Sequence, residues 1–286
     1  MLAKLAGEDR LSGISEWVCH RQQQLSEALG LEKVQAPHRT TYSRILGQVI
    51  DVGEFEQVVA DYFGSAANES VHVAIDGKSL RGSIPSGQTQ GVHLLAAFVP
   101  QEGWVLMQVE VDCKENEIKA APRLLKSLDL RGRVVTGDAM FTQRELSIQV
   151  VESGGDYIWA VKDNQPKMVD DIATVFEPQK SLKGFSVAPE QFKSASTVDK
   201  GHGRIEQRTL HASEQLKGYL DWPHAQQVFM LERHVERVRD GKLTDEVIYG
   251  VTSLDAQQAD PERLMELVRN HWHIANKLHY RRDETL

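Results

Sequence analysis

Two kinds of hydrophobic pattern divide the chain. Up to about residue 66 the apolar positions recur at helical spacing. In the stretch 14–31, Ile14, Val18, Leu25 and Leu29 fall four or seven apart, which predicts an amphipathic helix that stops at Gly30. After Pro37, TTYSRILGQVI opens with threonines suited to N-capping, and FEQVVADYF offers another amphipathic turn or two. No strand-like alternation interrupts this block, so residues 1–66 read as a helical N-terminal region.

From Ser70 the period changes. VHVAID (71–76), GVHLLAAFVP (91–100) and GWVLMQVEV (103–111) are short, rich in β-formers and bounded by Gly, Pro and Ser. The short turn at Gln101 and Glu102 predicts that the second and third pair antiparallel. A helix over 116–130, a strand at RVVTGD (133–138), a helix at TQRELSIQVVES and a strand at 156–162 follow. The order β-β-β-α-β-α-β, with later strands joined through helices, predicts a mixed sheet with helices on its faces. Between about 180 and 252 the pattern returns to short strands (GFSVAP, 196–213, 226–238 and 243–254), read as a β-rich insertion. The last stretch, from Asp260, predicts one strong helix, with Asp260 as cap and Pro261 at its first position. Two domains are therefore expected, 1–66 and 67–286, the second interrupted by the insertion.

Composition narrows the function classes. A hydrophobic content of 41% and charged content of 26% are those of a globular protein, and 286 residues suffice for a sizeable core. No apolar run approaches the length needed to span a bilayer, and the N-terminus lacks a secretory pattern, so no membrane role and a cytoplasmic location are expected. The two cysteines, Cys19 and Cys113, form no CxxC pair and read as buried free thiols. A net charge of −8 argues against a general nucleic-acid binder. Basic residues nonetheless cluster at Lys277, His279, Arg281 and Arg282, and at Lys200, His202, Arg204 and Arg208. Taken alone, those clusters read as a solvated charged face.

Chemistry enters with two matched segments, VHVAIDGKS and RVVTGDAMF. Each is a β-branched strand, an Asp, then small or polar residues. An Asp so placed stands where open α/β sheets put their ligands. If the strands are neighbours, Asp76 and Asp138 share one rim and could share a divalent ion of the Mg²⁺ or Mn²⁺ kind. Turn formation or helix capping is the competing explanation, and the two stay open at this point. A phosphatase of the haloacid dehalogenase type would need DxD, but Ala74 stands two before Asp76.

These segments, with AKLAGEDRLSGISEWVCHRQQQL, HLLAAFVP, KENEIKAAP, YIWAVKDNQP, GHGRIEQR, YGVTSL and NHWHIANKLHYRRD, resemble the ISAs1 family of bacterial insertion-sequence transposases, which includes the proteins associated with H repeats. The likeness covers nearly the whole chain. It implies a DDE transposase with an RNase H-like sheet, a β-strand insertion before the last catalytic helix, and metal-dependent cutting and joining of DNA ends by a homodimer on DNA. Asp76 and Asp138 match the first two catalytic aspartates, which would hold two Mg²⁺ or Mn²⁺ ions. The family's glutamate belongs in HWxIEN. Here the segment reads HWHIAN, and the matching residue is Ala275. Asp283 and Glu284 lie more than two helical turns further on, too far to replace it. Little or no strand transfer is therefore expected, and both ends look shorter than in family members. A catalytically silent DNA-binding remnant and a structure-specific nuclease of the same superfamily are the alternatives.

Further candidates for DNA contact follow. Lys78 and Arg81 come soon after Asp76, and Arg144 after Asp138. Lys162, Asn164 and Gln165 follow a strand on the same rim, with a strand-to-helix turn as the other reading. His202, Arg204, Glu206 and Arg208 alternate along a strand and share a face, for DNA or for salt bridges. Lys277 and Arg281 continue the last helix. His271, His273 and His279 make a poor metal set, and Trp159 and Trp272 read most simply as core, with base stacking a lesser option.

Overall fold

The structure, a computed structural model, describes residues 3, 6–8, 10–30, 32, 35–51, 53–58, 61, 71–80, 83–84, 91–112, 115–176, 192–201, 203–280 and 282. The chain divides into two compact units, one over 1–59 and one over 60–284.

In the first unit, α1 (Leu11–Cys19) and α2 (Gln22–Leu29) replace the single helix expected there. The break falls at His20–Arg21, where Arg21 leaves helical geometry (φ −120°, ψ 17°). Helix α3 (Arg39–Arg44) is capped by His38, whose Nδ1 accepts from the Thr40 amide, and not by a threonine. It runs on into a π-helical turn at Ile45–Val49. Cys19 is exposed, contrary to the expectation of a buried thiol. It lies five residues after Ile14, the buried residue of α1, and so faces the other side of the helix. Cys113 lies outside the described residues.

The second unit is one nine-stranded sheet: β1 (His72–Ser79), β2 (His93–Val99), β3 (Trp104–Glu110), β4 (Val134–Gly137), β5 (Asp156–Val161), β6 (Lys193–Gly201), β7 (Arg204–Ser213), β8 (Gln227–Arg237) and β9 (Leu243–Thr252). Their order across it is β3-β2-β1-β4-β5-β9-β8-β7-β6. Strands β1, β4 and β5 are parallel and the remaining neighbours antiparallel, so this is the mixed α/β sheet expected. The β-rich stretch is continuous with the sheet, because β9 pairs antiparallel with β5 (Ile158↔Thr252). The expected strand over 196–213 is a hairpin of β6 and β7, and GFSVAP lies outside the described residues.

Helices cover both faces. On one lie α4 (Glu117–Lys126), α5 (Arg144–Glu152) and α6 (Pro166–Phe176). They bury Leu124, Val150 and Ile172 against Val73, Ile75, Val135, Tyr157 and Trp159. Helix α6 has a signal in the sequence: Pro166 opens it, and Met168, Ile172 and Phe176 recur every fourth residue. On the other face, α7 (Pro261–His271) packs Leu264, Met265 and Leu267 on Val134, Ile158 and Phe229. Asp260 caps it by accepting from the Arg263 amide at 2.9 Å. The α-helix ends at His271 and resumes as a π-helical turn, Ile274–His279, instead of the single helix expected. Ile274 is anchored against Ala74 and Phe98. Among the described residues no helix is long and apolar enough to cross a membrane.

Candidate functional site

The parallel pairing of β1 with β4 matches Ala74 to Thr136, and two residues further along each strand stand Asp76 and Asp138. Neighbouring strands lie about 4.8 Å apart, so the register puts the two carboxylates side by side. Asp76 is not at the end of its own strand, as the sequence suggests. Strand β1 runs on to Ser79 against β2, and only the β4 side stops short. Asp138 directly follows β4 and caps a short 3₁₀ turn, accepting from the Met140 amide at 3.0 Å. The cap occupies Oδ1 and leaves Oδ2 of the same carboxylate outside it. Asp76 accepts from the Gly77 amide through Oδ1 (2.9 Å) and is bonded through Oδ2 to His279 Nε2 (3.2 Å).

The end of α7 faces this pair. His271 Nδ1 is 3.0 Å from Thr136 Oγ1, two residues before Asp138, while His279 reaches Asp76. Ala275 stands midway along the chain, four residues from each, in the π-helical turn. It thus lies on the segment that joins the two histidines bonded to these strands. Among the described residues no three His, Cys, Asp or Glu side chains are close enough together to hold a metal ion. The donor chemistry still suits a small hard cation: Mg²⁺ is commonly held by one or two carboxylates and keeps its remaining waters.

Beneath the site runs a buried chain, His72 Nε2 to Thr136 Oγ1 (2.8 Å) and on to His271. Burial pushes the His72 imidazole down to about 3, helped by the nearby His271, Arg263 and His273. His271 is also lowered by burial, against the pull of Asp76 and Asp138. Below the ordinary value of 6.5, the unfolded chain takes up a proton that folded His72 refuses. Stability is therefore complete above about pH 6.5 and falls by up to about 1.4 kcal/mol per pH unit as the pH drops toward 3. Urea unfolding at pH 7 and 4.5 should show a loss roughly 2–3 kcal/mol larger in the parent than in His72→Gln, which cannot titrate. Equal losses in the two proteins would remove His72 from the account.

Sequence reasoning missed Glu117. Its carboxylate lies against Gly77, where a Cβ would collide with its Cδ, so only glycine admits it beside Asp76. Glu117 Oε1 pairs with His93 Nε2 (2.7 Å), and His93 Nδ1 meets Ser79 Oγ at 2.7 Å. Burial raises the Glu117 carboxyl; His93 opposes this, and the charges of Asp76 and Asp138 add to it. The only sequence signal was its place in the first turn of α4 after the Asn116 cap.

The remaining candidates divide. Lys162 and Asp138 line one small cavity together with His271 and Trp272. Lys78 follows Asp76 by two on β1 and so shares its face. Asn164 and Gln165 hold the loop after Asp138, donating to the carbonyls of Ala139 (2.7 Å) and Thr142 (3.1 Å). Lys277 donates to the Pro100 carbonyl, and Arg144 engages Asp221, away from the aspartates. Arg204, Glu206 and Arg208 do share a face of β7, where buried Glu206 gathers Arg208 (2.6 Å), Arg233 and Arg204. Burial pushes the Glu206 carboxyl up, but those guanidinium groups together hold it below the usual range. Trp159 is core, fully buried, whereas Trp272 is 52% exposed. Arg81, His202 and Arg281 lie outside the described residues.

Comparison with known proteins follows the same lines. Residues 67–277 match the family described as "Transposase DDE domain". The chain is 34% identical over 226 residues to "Putative protein YbfL" of Escherichia coli K12, covering 76% of this chain and 57% of that protein. To "H repeat-associated putative transposase YhhI" of the same strain it is 34% identical over 219 residues, covering 74% and 55%. To the K12 "Putative transposase YncI" it is 33% identical over 214 residues, covering 73% and 82%. The chain thus spans little more than half the length of YbfL and YhhI. Among solved structures, a piggyBac transposase synaptic complex with hairpin DNA aligns with 91% of this chain and 54% of its own, at 11% identity and a TM-score of 0.38, too loose a likeness to carry an argument. With its domain matched over most of its length, the chain belongs to the family of transposases built on a DDE domain.

Proposed function

We propose that this chain is the core of an insertion-sequence transposase of the ISAs1 group that binds DNA ends, and that Ala275 leaves its cutting and joining chemistry severely impaired. The observation that supports this reading is the parallel pairing of Ala74 with Thr136, two residues before Asp76 and Asp138, with His271 bonded to Thr136 and His279 to Asp76. Asp76 and Asp138 are the residues that would hold the divalent ions, Mg²⁺ or Mn²⁺. Such ions supply Lewis acidity to the scissile phosphate and lower the pKa of an attacking water. The chain's own groups do the positioning. The Gly77 amide and His279 orient the Asp76 carboxylate, and the Met140 amide orients that of Asp138. Thr136 ties β4 to α7 through His271, fixing the distance from helix to strand. Lys78 and Lys162 lie on the site's own face and suit contact with the DNA backbone, and Arg81, His202, Arg204, Arg208, Lys277 and Arg281 extend the candidate path. A homodimer on DNA belongs to the same proposal.

Ala275 specifically favours a second reading, a silent protein that binds DNA and cuts nothing. The first reading needs the aspartate pair to attract a cation and the second does not, a difference that is directly measurable. Titrating the protein with Mn²⁺ and following the free ion by electron paramagnetic resonance should give a saturable site, weakened about tenfold or more by Asp138→Asn. Unchanged binding in that variant, with folding intact by circular dichroism, would remove the pair as the ligand set.

A further inference from the structure

Behind the Asp76 carboxylate, on the opposite face of the sheet, the same end of β1 carries a line of hydrogen bonds. Gly77 and Ser79 alternate with Asp76 along β1, so they present the face that α4 covers. The antiparallel register sets His93 of β2 directly across from Ser79. Ser79 Oγ lies 2.7 Å from His93 Nδ1, and His93 Nε2 lies 2.7 Å from Glu117 Oε1. The Glu117 carboxylate closes the line by filling the space that a Cβ on Gly77 would need. We propose that Glu117 is a positioning residue for Asp76: held by His93 and Ser79, it bears on Gly77 from behind and fixes the peptide from which the Asp76 carboxylate is aimed at a cation. This rests on the metal-binding reading above and deepens it.

The link from Glu117 to Asp76 is short. The Gly77 amide donates to Asp76 Oδ1 at 2.9 Å, so whatever fixes Gly77 fixes one of the two bonds that orient the carboxylate. The other bond, from His279 to Oδ2, comes from the α7 side. Asp76 is thereby gripped from both faces of the sheet.

That end of the strand needs a brace. Strand β1 pairs with β4 only as far as Ala74, and beyond it β2 alone flanks Gly77 and Ser79. A glycine there adds backbone freedom at the residue whose amide holds Asp76. Glu117 supplies the restraint that β4 no longer gives. Its own place is fixed by the Asn116 cap, which accepts from the Lys119 amide at 3.2 Å and starts α4. Packing of α4 does not by itself account for an acid at this position. Glu117 Oε2 is buried and has no hydrogen-bond partner among the described residues, an arrangement that costs stability.

Two readouts test the brace, one of them independent of metal. In Glu117→Ala, amide hydrogen exchange should quicken severalfold at Gly77, Lys78 and Ser79 and stay at parental rates in β4 and β5. Mn²⁺ affinity, followed by electron paramagnetic resonance, should fall about fivefold, less than in Asp138→Asn. Glu117→Gln keeps an oxygen for His93 and the bulk against Gly77 but loses the charge, so it should hold both quantities within about twofold of the parent. Gly77→Ala reaches the same contact from the other side, because its Cβ must displace the carboxylate. It should weaken Mn²⁺ binding as Glu117→Ala does, and the double variant should lose no more than Glu117→Ala alone, as expected of groups in contact. Parental exchange and affinity in Glu117→Ala would overturn the proposal, and so would additive losses in the double variant. Losses in Glu117→Gln equal to those in Glu117→Ala would assign the effect to charge and overturn the brace. Faster exchange throughout the second unit would make Glu117 a general structural residue and overturn its positioning role. A parent without any saturable Mn²⁺ site would overturn the cation reading itself, and exchange at Gly77 would still decide whether Glu117 holds the strand.

Discussion

Ala275→Glu is expected to raise metal-dependent nicking of DNA by about a thousandfold or more over the parent chain. The argument begins with position. Ala275 lies four residues from His271 and four from His279, whose partners are Thr136 and Asp76. On the proposed reading a glutamate there reaches Asp76 and Asp138, which stand two residues beyond the paired Ala74 and Thr136. A third carboxylate adds a ligand and a negative charge to a site for divalent ions. Several kcal/mol of transition-state stabilisation are at stake, and each 1.4 kcal/mol is tenfold in rate. The same change should cost stability without metal, because three carboxylates repel one another and desolvation opposes their charge. The melting temperature of Ala275→Glu should therefore fall below the parent's in chelator and recover with Mn²⁺, while the parent responds far less. Nicking and joining together would establish the transposase reading; nicking alone points to a nuclease. A variant that melts normally, gains no affinity for Mn²⁺ and cuts nothing would show that position 275 does not face the pair.

The sheet was legible because its strands carry strong signals: β-branched runs bounded by turn residues, with helical periods between them. Asp76 and Asp138 stood out for the same reason, since the repeated form of strand, Asp and small residues survives without knowledge of pairing. What could not be read locally depended on contacts far apart in sequence. Glu117 reaches the site only because α4 folds back over Gly77, and His279 only because α7 crosses β1. The π-helical turn at Ile274–His279 has no pattern of its own; Ile274 seated against Ala74 and Phe98 sets where the helix resumes. In the helical block, the break at His20–Arg21 falls between two polar residues that suit a helix as well as a turn. Asn164 and Gln165 read as candidates for DNA contact, yet their amides brace the loop after Asp138, a role visible only when both loops are in place.

The second large effect is expected in the core. Trp159→Ala should destabilise the second unit by about 3–5 kcal/mol, the usual cost of truncating a buried large aromatic. Trp159 is fully buried on β5, stacks on Tyr157 at 5.6 Å between ring centroids, and donates from Nε1 to Ser147 Oγ at 3.0 Å. Its loss opens a cavity and strips buried Ser147 of that donor. Because the second unit is large, the fall in melting temperature is on the order of 10 °C. Trp159→Phe keeps most of the packing and loses the hydrogen bond, so about 1–2 kcal/mol should go instead. The effect should also reach the site. The indole lies under Gly137, where an added Cβ would come within 2.8 Å of its Cζ3, and Gly137 immediately precedes Asp138. Without that floor the Asp138 backbone has room to shift. Mn²⁺ binding by folded Trp159→Ala should therefore weaken severalfold, by less than in Asp138→Asn. Urea unfolding gives the first quantity and Mn²⁺ titration the second. A stability loss under about 1 kcal/mol would mean that the surrounding side chains collapse into the space, and the ring would not then be what fixes β4 against β5.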